Sequence, residues 1–220
     1  VYVQRKYDGV RCLAYIDENS DIKFMTRQGK EILHLTHIRD VISNIFTELD
    51  TPDRFVFDGE LYSHDDMCFE DMAGLIRKKK PSRDEMIRTH SIHYEVYDVI
   101  MLDNLNEIYE TRREWLINIF SVIQEDDRKV SADDDESEEM VMDGTQNNPV
   151  MLSESFLVET EEEVDACHEK FVEEGFEGLI IRTVEGKYGI DKRSKDLLKY
   201  KTFLEEEFEI IGYNEGQGSD

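Results

Sequence analysis

Apolar and polar residues alternate through residues 1–5, and apolar residues dominate the runs 10–16 (VRCLAYI) and 22–26 (IKFMT). KYDG, ENSD and RQGK separate these runs and carry turn chemistry, so the opening reads as antiparallel β-structure. Ile38, Val41, Ile42, Ile45, Phe46 and Leu49 then recur at helical spacing and predict a helix over 36–49, with Thr36 as its N-cap. Residues 54–62 (RFVFDGELY) alternate like a strand. Phe69, Met72, Ala73, Leu75 and Ile76 predict a short helix, and Ser82 with Glu85 forms a capping box for another. The β-branched and aromatic run 91–100 (SIHYEVYDVI) predicts a strand, and residues 106–124 a longer amphipathic helix. After an acidic stretch, residues 150–158 predict a strand. Thr160 and Glu163 form a second capping box, opening a helix that stops at Gly175. Residues 176–184, 196–203 and 207–213 predict three further strands. Strands with hairpin-like early spacing and helices between them predict an antiparallel α+β domain, not a Rossmann fold.

Composition narrows the class. The 220 residues are 39% hydrophobic, enough for a sizeable core, and no stretch approaches a membrane span of about 18 apolar residues. No signal peptide is present, and Val1 rather than Met opens the chain, which predicts a fragment or a processed chain. Cys12, Cys68 and Cys167 are odd in number and form no C-x-x-C pair, which argues against a disulfide framework or zinc ribbon and for a reducing, intracellular setting. The net charge of −26 argues against a protein that coats nucleic acid uniformly. Residues 124–143 alone hold ten acids against two bases, and the insertion 124–148 is predicted to be a flexible surface loop. Basic residues still cluster locally, at Arg77, Lys78, Lys79 and Lys80 and again between Lys192 and Lys201. Neither G-x-G-x-x-G nor a Walker A sequence occurs.

The strongest motif is Lys6-Tyr7-Asp8-Gly9-Val10-Arg11, or K-x-D-G-x-R, which chance would produce in about one chain of this length in several hundred. Arg27-Gln28-Gly29, Asp58-Gly59-Glu60, Tyr97-Asp98, Glu177-Gly178-Leu179-Ile180-Ile181-Arg182 and Leu198-Lys199-Tyr200-Lys201 follow in order, each on or beside a predicted strand. In these motifs the chain resembles the adenylation (nucleotidyltransferase) domain of ATP-dependent DNA ligases, most of all the small phage and viral ones, from about Tyr2 to Gly218. RNA ligases and mRNA capping guanylyltransferases share the same lysyl-nucleotide chemistry and form the nearest alternative. A non-catalytic nucleotide-binding interaction module is a further one.

The resemblance implies two packed antiparallel β-sheets flanked by helices, with an AMP pocket between them. It implies ATP as cosubstrate, Mg²⁺ or Mn²⁺ as metal, nicked duplex DNA as partner, and a monomer with no membrane contact. Lys6 is then the nucleophile. A lysine amine attacks phosphorus only when neutral, and its ordinary pKa is about 10.4. Lys199 and Lys201 stand two apart, on one strand face, where they could hold the α-phosphate and disfavour a proton on Lys6. By resemblance Glu177 and Glu60 are the metal-linked carboxylates, Glu60 also matching a ribose-hydroxyl position, since Mg²⁺ takes one or two carboxylates beside phosphate and water. Tyr97 matches an aromatic stacked on adenine, and Arg11 and Arg27 match residues near the ribose and the nicked phosphate. Gln4 departs from the glutamate that ligases often carry there; its amide could still accept from the adenine amino group. The Arg77–Lys80 cluster is a candidate DNA-backbone contact. The histidines and Cys12 read as structural. Residues 1–206 are predicted to be the adenylation domain, and 207–220 the start of a C-terminal OB-fold domain that the chain otherwise lacks.

Overall fold

A computed structural model of the chain describes residues 1–64, 67–130, 148–190, 194–201 and 211–212, with side chains of the fourth helix described as far as Ser121. The β-elements are β1 (Tyr2–Arg5), β2 (Val10–Ile16), β3 (Ile22–Thr26), β4 (Phe55–Tyr62), β5 (His93–Met101), β6 (Val150–Leu152), β7 (Phe156–Leu157), β8 (Gly178–Arg182) and β9 (Leu197–Lys201). The helices are α1 (Thr36–Thr47), α2 (Phe69–Arg77), α3 (Arg83–Arg88), α4 (Tyr109–Val130) and α5 (Glu161–Glu173). They build an α+β domain of two sheets, one of order β3-β2-β4-β5-β6 and one of order β7-β1-β8-β9.

Alternation explains the layers. Cys12, Ala14, Phe24, Phe57, Leu61, Tyr94, Val96 and Val99 come from one face of the five-stranded sheet and pack with Ile38, Ile42, Ile45 and Phe46 of α1 and Leu116 and Phe120 of α4. A smaller core, Val3, Leu179, Val158 and Phe171, joins the back of the four-stranded sheet to α5. Cys12 is fully buried in the larger core, as a packed thiol should be.

Several expectations need correction. The KYDG segment is not a hairpin turn: β1 pairs with β7 and β8, whereas β2 pairs with β3 and β4, so residues 6–9 carry the chain from one sheet to the other. The run 150–158 is two strands in different sheets, broken at Ser153–Ser155, because Val150–Leu152 completes the larger sheet and Phe156–Leu157 the smaller. The sheets are not wholly antiparallel. β6 runs parallel to β5, as a strand reached through a helical crossover can. Leu35, not Thr36, caps α1, and it offers no side-chain bond. Both predicted capping boxes are present. The helix α4 runs on to Val130, so the first residues of the acidic stretch are helical, not loop; 131–147 lies outside the described residues. So do 207–210 and 213–220, and Ile211 and Gly212 are in no strand.

Candidate active site

The two sheets face each other across a cleft of about 920 Å³. Register decides which side chains reach it. Gln4 lies opposite Ile180, and Ile180 opposite Lys199, so Gln4, Ile180 and Lys199 share the cleft face, while Val3 and Leu179 turn back towards α5. On the other sheet a register shift between Asp58 and Gly59 pairs Asp58 with Asp98 but Gly59 with Val96. The bulged strand gains a residue there, and Tyr97 and Asp98 both line the cleft. Tyr94, three residues earlier, is the core tyrosine, its hydroxyl donating to the carbonyls of Cys12 and Phe57.

Lys6 sits where the chain crosses between sheets. Its N–H donates to Gly178 O (3.0 Å), and the Glu177 N–H donates to Lys6 O (3.2 Å). Its ammonium pairs with Glu177 Oε2, with 15% of the lysine side chain exposed. Gly9 must lack a Cβ: one added there would stand 2.3 Å from Leu61 O and 2.6 Å from Glu60 Cγ. The glycine thus brings the lysine loop against the strand that carries Glu60. Burial, then the charges of Lys199 and Lys201, lower the pKa of Lys6, against the opposing pull of Asp8 and Glu60. Burial, then Asp58, raises Glu60 to about 8, although Lys6, Arg11 and Lys199 favour its charged form.

Gln4, Lys6, Arg11, Arg27, Glu60, Tyr97 and Lys199 therefore come together in the cleft, as does Arg77 at its margin. Glu177 reaches it through Lys6, and Lys201 through its field on that lysine. Lys78, Lys79 and Lys80 do not line it; Lys78 is engaged by Glu85, and the other two are exposed. Gln4 is 1% exposed and committed at both ends: Oε1 accepts from Arg182 Nε (2.8 Å), and Nε2 donates to Tyr97 O (3.3 Å). Among the described residues, one lone pair of Oε1 accepts no bond.

Residues outside the predicted set hold this constellation. Asp98, fully buried, accepts two bonds from Arg112 (2.8 and 3.0 Å) and one from Arg182 (2.7 Å). Asp58 accepts from Arg11, Tyr97 and Tyr188. Asp58, Asp98 and Arg182 stand inside the quoted motifs, and their signal was a charge within an apolar strand; Arg112 and Tyr188 gave none. Among the described residues no three carboxylate, imidazole or thiolate groups converge as a metal site.

A model of the ATP dependent DNA ligase domain matches residues 1–201. The chain belongs to that family. This ligase domain is 29% identical over 218 residues to the DNA ligase of African swine fever virus, covering 98% of this chain and 45% of that protein. It is 23% identical over 243 residues to the DNA ligase of phage T4, covering 96% and 46%. The chain thus spans about half the length of these curated relatives. The ATP-dependent DNA ligase from bacteriophage T7 in complex with ATP shares its fold, with TM-score 0.67 and 23% identity over 91% of this chain and 61% of that one. Chlorella virus DNA ligase-adenylate does too, with TM-score 0.59 and 19% identity over 91% and 61%. The ligase domain has no described helix long and apolar enough to cross a membrane.

Proposed function

We propose that this domain is the nucleotidyl-transfer core of a DNA-sealing enzyme, with Lys6 as nucleophile. The observation that carries the reading is the setting of Lys6, an amine paired with Glu177, flanked electrostatically by Lys199 and Lys201, and opening on a cleft between two sheets. Lys6 Nζ attacks the α-phosphorus of ATP. The N–P bond forms, the bond to the bridging oxygen breaks, and pyrophosphate leaves with the electron pair. Glu177 Oε2, already on the amine, is sited to take the proton. Lys199 faces the same space and offsets phosphate charge.

Tyr97 offers its ring to the adenine, a contact of about 1–3 kcal/mol in other stacking sites, and Ile180 lines the opposite wall. The AMP then passes to the 5′-phosphate of a nick, and a 3′-hydroxyl displaces it. Arg27 and Arg77, both at the cleft, suit the phosphates of nicked DNA, with Lys78–Lys80 continuing the basic surface. Glu60 and Glu177 both lie at Lys6, and two carboxylates fit the modest demand of Mg²⁺ or Mn²⁺ beside a phosphate. An ion held there would offset charge on the phosphates. An OB-fold partner domain beyond residue 206 belongs to the same reading. None of the relatives named above is an RNA ligase or a capping enzyme.

Intact-mass measurement with fresh ATP tests the reading. The expected result is a gain of one AMP that maps to Lys6 and is lost in Lys6→Ala. A gain that survives that substitution, or that GTP supports as well as ATP, overturns it.

A further inference from the structure

β8 ends at Arg182, and the following chain leaves its sheet to meet α4. Glu110 N–H donates to Val184 O (3.1 Å), Gly186 O accepts from Arg112 Nη1 (3.1 Å), and Lys187 bridges to Ile108. This fastened segment delivers Tyr188, whose ring lies 5.7 Å from the Arg112 guanidinium. The Tyr188 hydroxyl donates to Asp58 Oδ2 (2.6 Å) and accepts from Arg11 Nη2 (2.8 Å). Arg11 and Asp58 stand on β2 and β4 of the other sheet, so the phenol is a polar link across the cleft.

The link decides what each partner has left. Asp58 is 3% exposed and receives four bonds: Arg11 Nε and Tyr97 OH on Oδ1, Arg11 Nη2 and Tyr188 OH on Oδ2. A carboxylate has about four acceptor sites, so none is left for a ligand. The guanidinium of Arg11 is a rigid planar fork. Its Nε and Nη2 are committed to Asp58 and Tyr188, whereas Nη1 makes no hydrogen bond among the described residues. The side chain is 39% exposed and lines the cleft. Two parallel bonds to one carboxylate let the fork rock about the pair. A third contact, from a phenol anchored on another element, stops that motion.

We propose that Tyr188 is a positioning residue acting through Arg11, holding the guanidinium so that Nη1 meets oxygen atoms of the bound nucleotide. The proposal rests on the ATP-binding reading above and adds to it the residue that sets the geometry of Arg11.

Single-turnover formation of lysyl-AMP at graded ATP concentrations tests it. Tyr188→Phe keeps the ring and its packing on Arg112 and deletes the hydroxyl. Half-saturation should rise about tenfold, the scale of one hydrogen bond to a charged group, with the rate at saturating ATP changed less than about twofold. In an Arg11→Met background the same substitution should add almost nothing, because coupled residues do not add. Unchanged half-saturation in Tyr188→Phe, or an equal loss in both backgrounds, overturns the proposal. If Arg11→Met does not fold, exchange of the Arg11 Nε–H with water, followed by NMR in Tyr188→Phe, decides: faster exchange supports the hold on Arg11, and unchanged exchange refutes it. A wild-type chain that takes up no AMP refutes the ATP reading, and the same NMR comparison then decides whether Tyr188 holds Arg11.

Discussion

Lys6 is joined to Glu177 twice, by the Glu177 N–H on the Lys6 carbonyl at 3.2 Å and by the carboxylate on the ammonium. The same short ladder, where β1 runs into β8, therefore fixes both the proposed nucleophile and its proposed proton acceptor. Neither side chain has to search for the other, which is where much of the advantage of a held geometry comes from. The ion pair favours the charged amine, and burial with Lys199 and Lys201 opposes it.

That opposition is testable at Lys199. Lysyl-AMP formation should rise with pH as Lys6 loses its proton. Lys199→Met removes a cation that lowers the Lys6 pKa, so the rise should move to higher pH as well as reaching a lower plateau. The pH profile of AMP incorporation checks this. A profile that keeps its midpoint while losing amplitude would assign Lys199 to phosphate binding alone.

Gly178 fixes the other side of the ladder. Its φ of +138° is open to glycine and strained for other residues, and an added Cβ would stand 2.3 Å from Tyr200 O. Gly178→Ala must therefore push β9 away from β8, and Lys199 and Lys201 go with it. The expected loss of stability is about 2 kcal/mol or more, read from urea unfolding. AMP uptake should fall further than stability alone explains at temperatures where the variant is fully folded.

Much of this was legible in the sequence, for identifiable reasons. β2 and β3 match their apolar runs residue for residue, because one face is buried and the other wet. The two capping boxes were legible because Ser82, Thr160 and their glutamates act locally. Sheet membership was not legible. Nothing in KYDG distinguishes a hairpin from a crossing between sheets, and nothing in 150–158 marks the break between partners. The candidate lysines and glutamates were singled out through their motif order, whereas Arg112 gave no signal: it is an arginine on a helix, and only the fold brings it to Asp98.

Arg113, its neighbour, has no such partner among the described residues. It is 7% exposed, its Nη1 is buried without a hydrogen bond, and burial lowers its pKa, with Arg182 nearby adding to the cost. A buried cation with no carboxylate destabilises the fold, since its desolvation is not offset. Arg113→Met keeps the length of the side chain and removes the charge. It should raise the unfolding free energy by about 1 kcal/mol or more, measured by urea denaturation. A loss of stability would mean that the guanidinium has a partner in solution.

Glu95 gives the domain an unusual response to pH. It lies opposite Glu60 in the β4–β5 ladder and accepts from Tyr7 OH (3.2 Å), with Arg5 and Glu154 the other charged groups that act on it. Burial raises it to about 7, and Glu60 to about 8, from an ordinary value near 4.5. The folded state therefore keeps protons that the unfolded chain has already lost, and stability falls as pH rises from about 4.5 to about 8. Carboxylates held low, such as Glu85 at about 2 and Glu174 beside Arg5, act below that window. Glu95→Gln imitates the protonated form and can still accept from Tyr7. The variant should melt near the wild type at pH 4 and several degrees higher at pH 8, flattening the pH dependence. A variant that melts lower than the wild type at pH 8 would show that the Glu95 carboxylate stabilises the fold in its charged form.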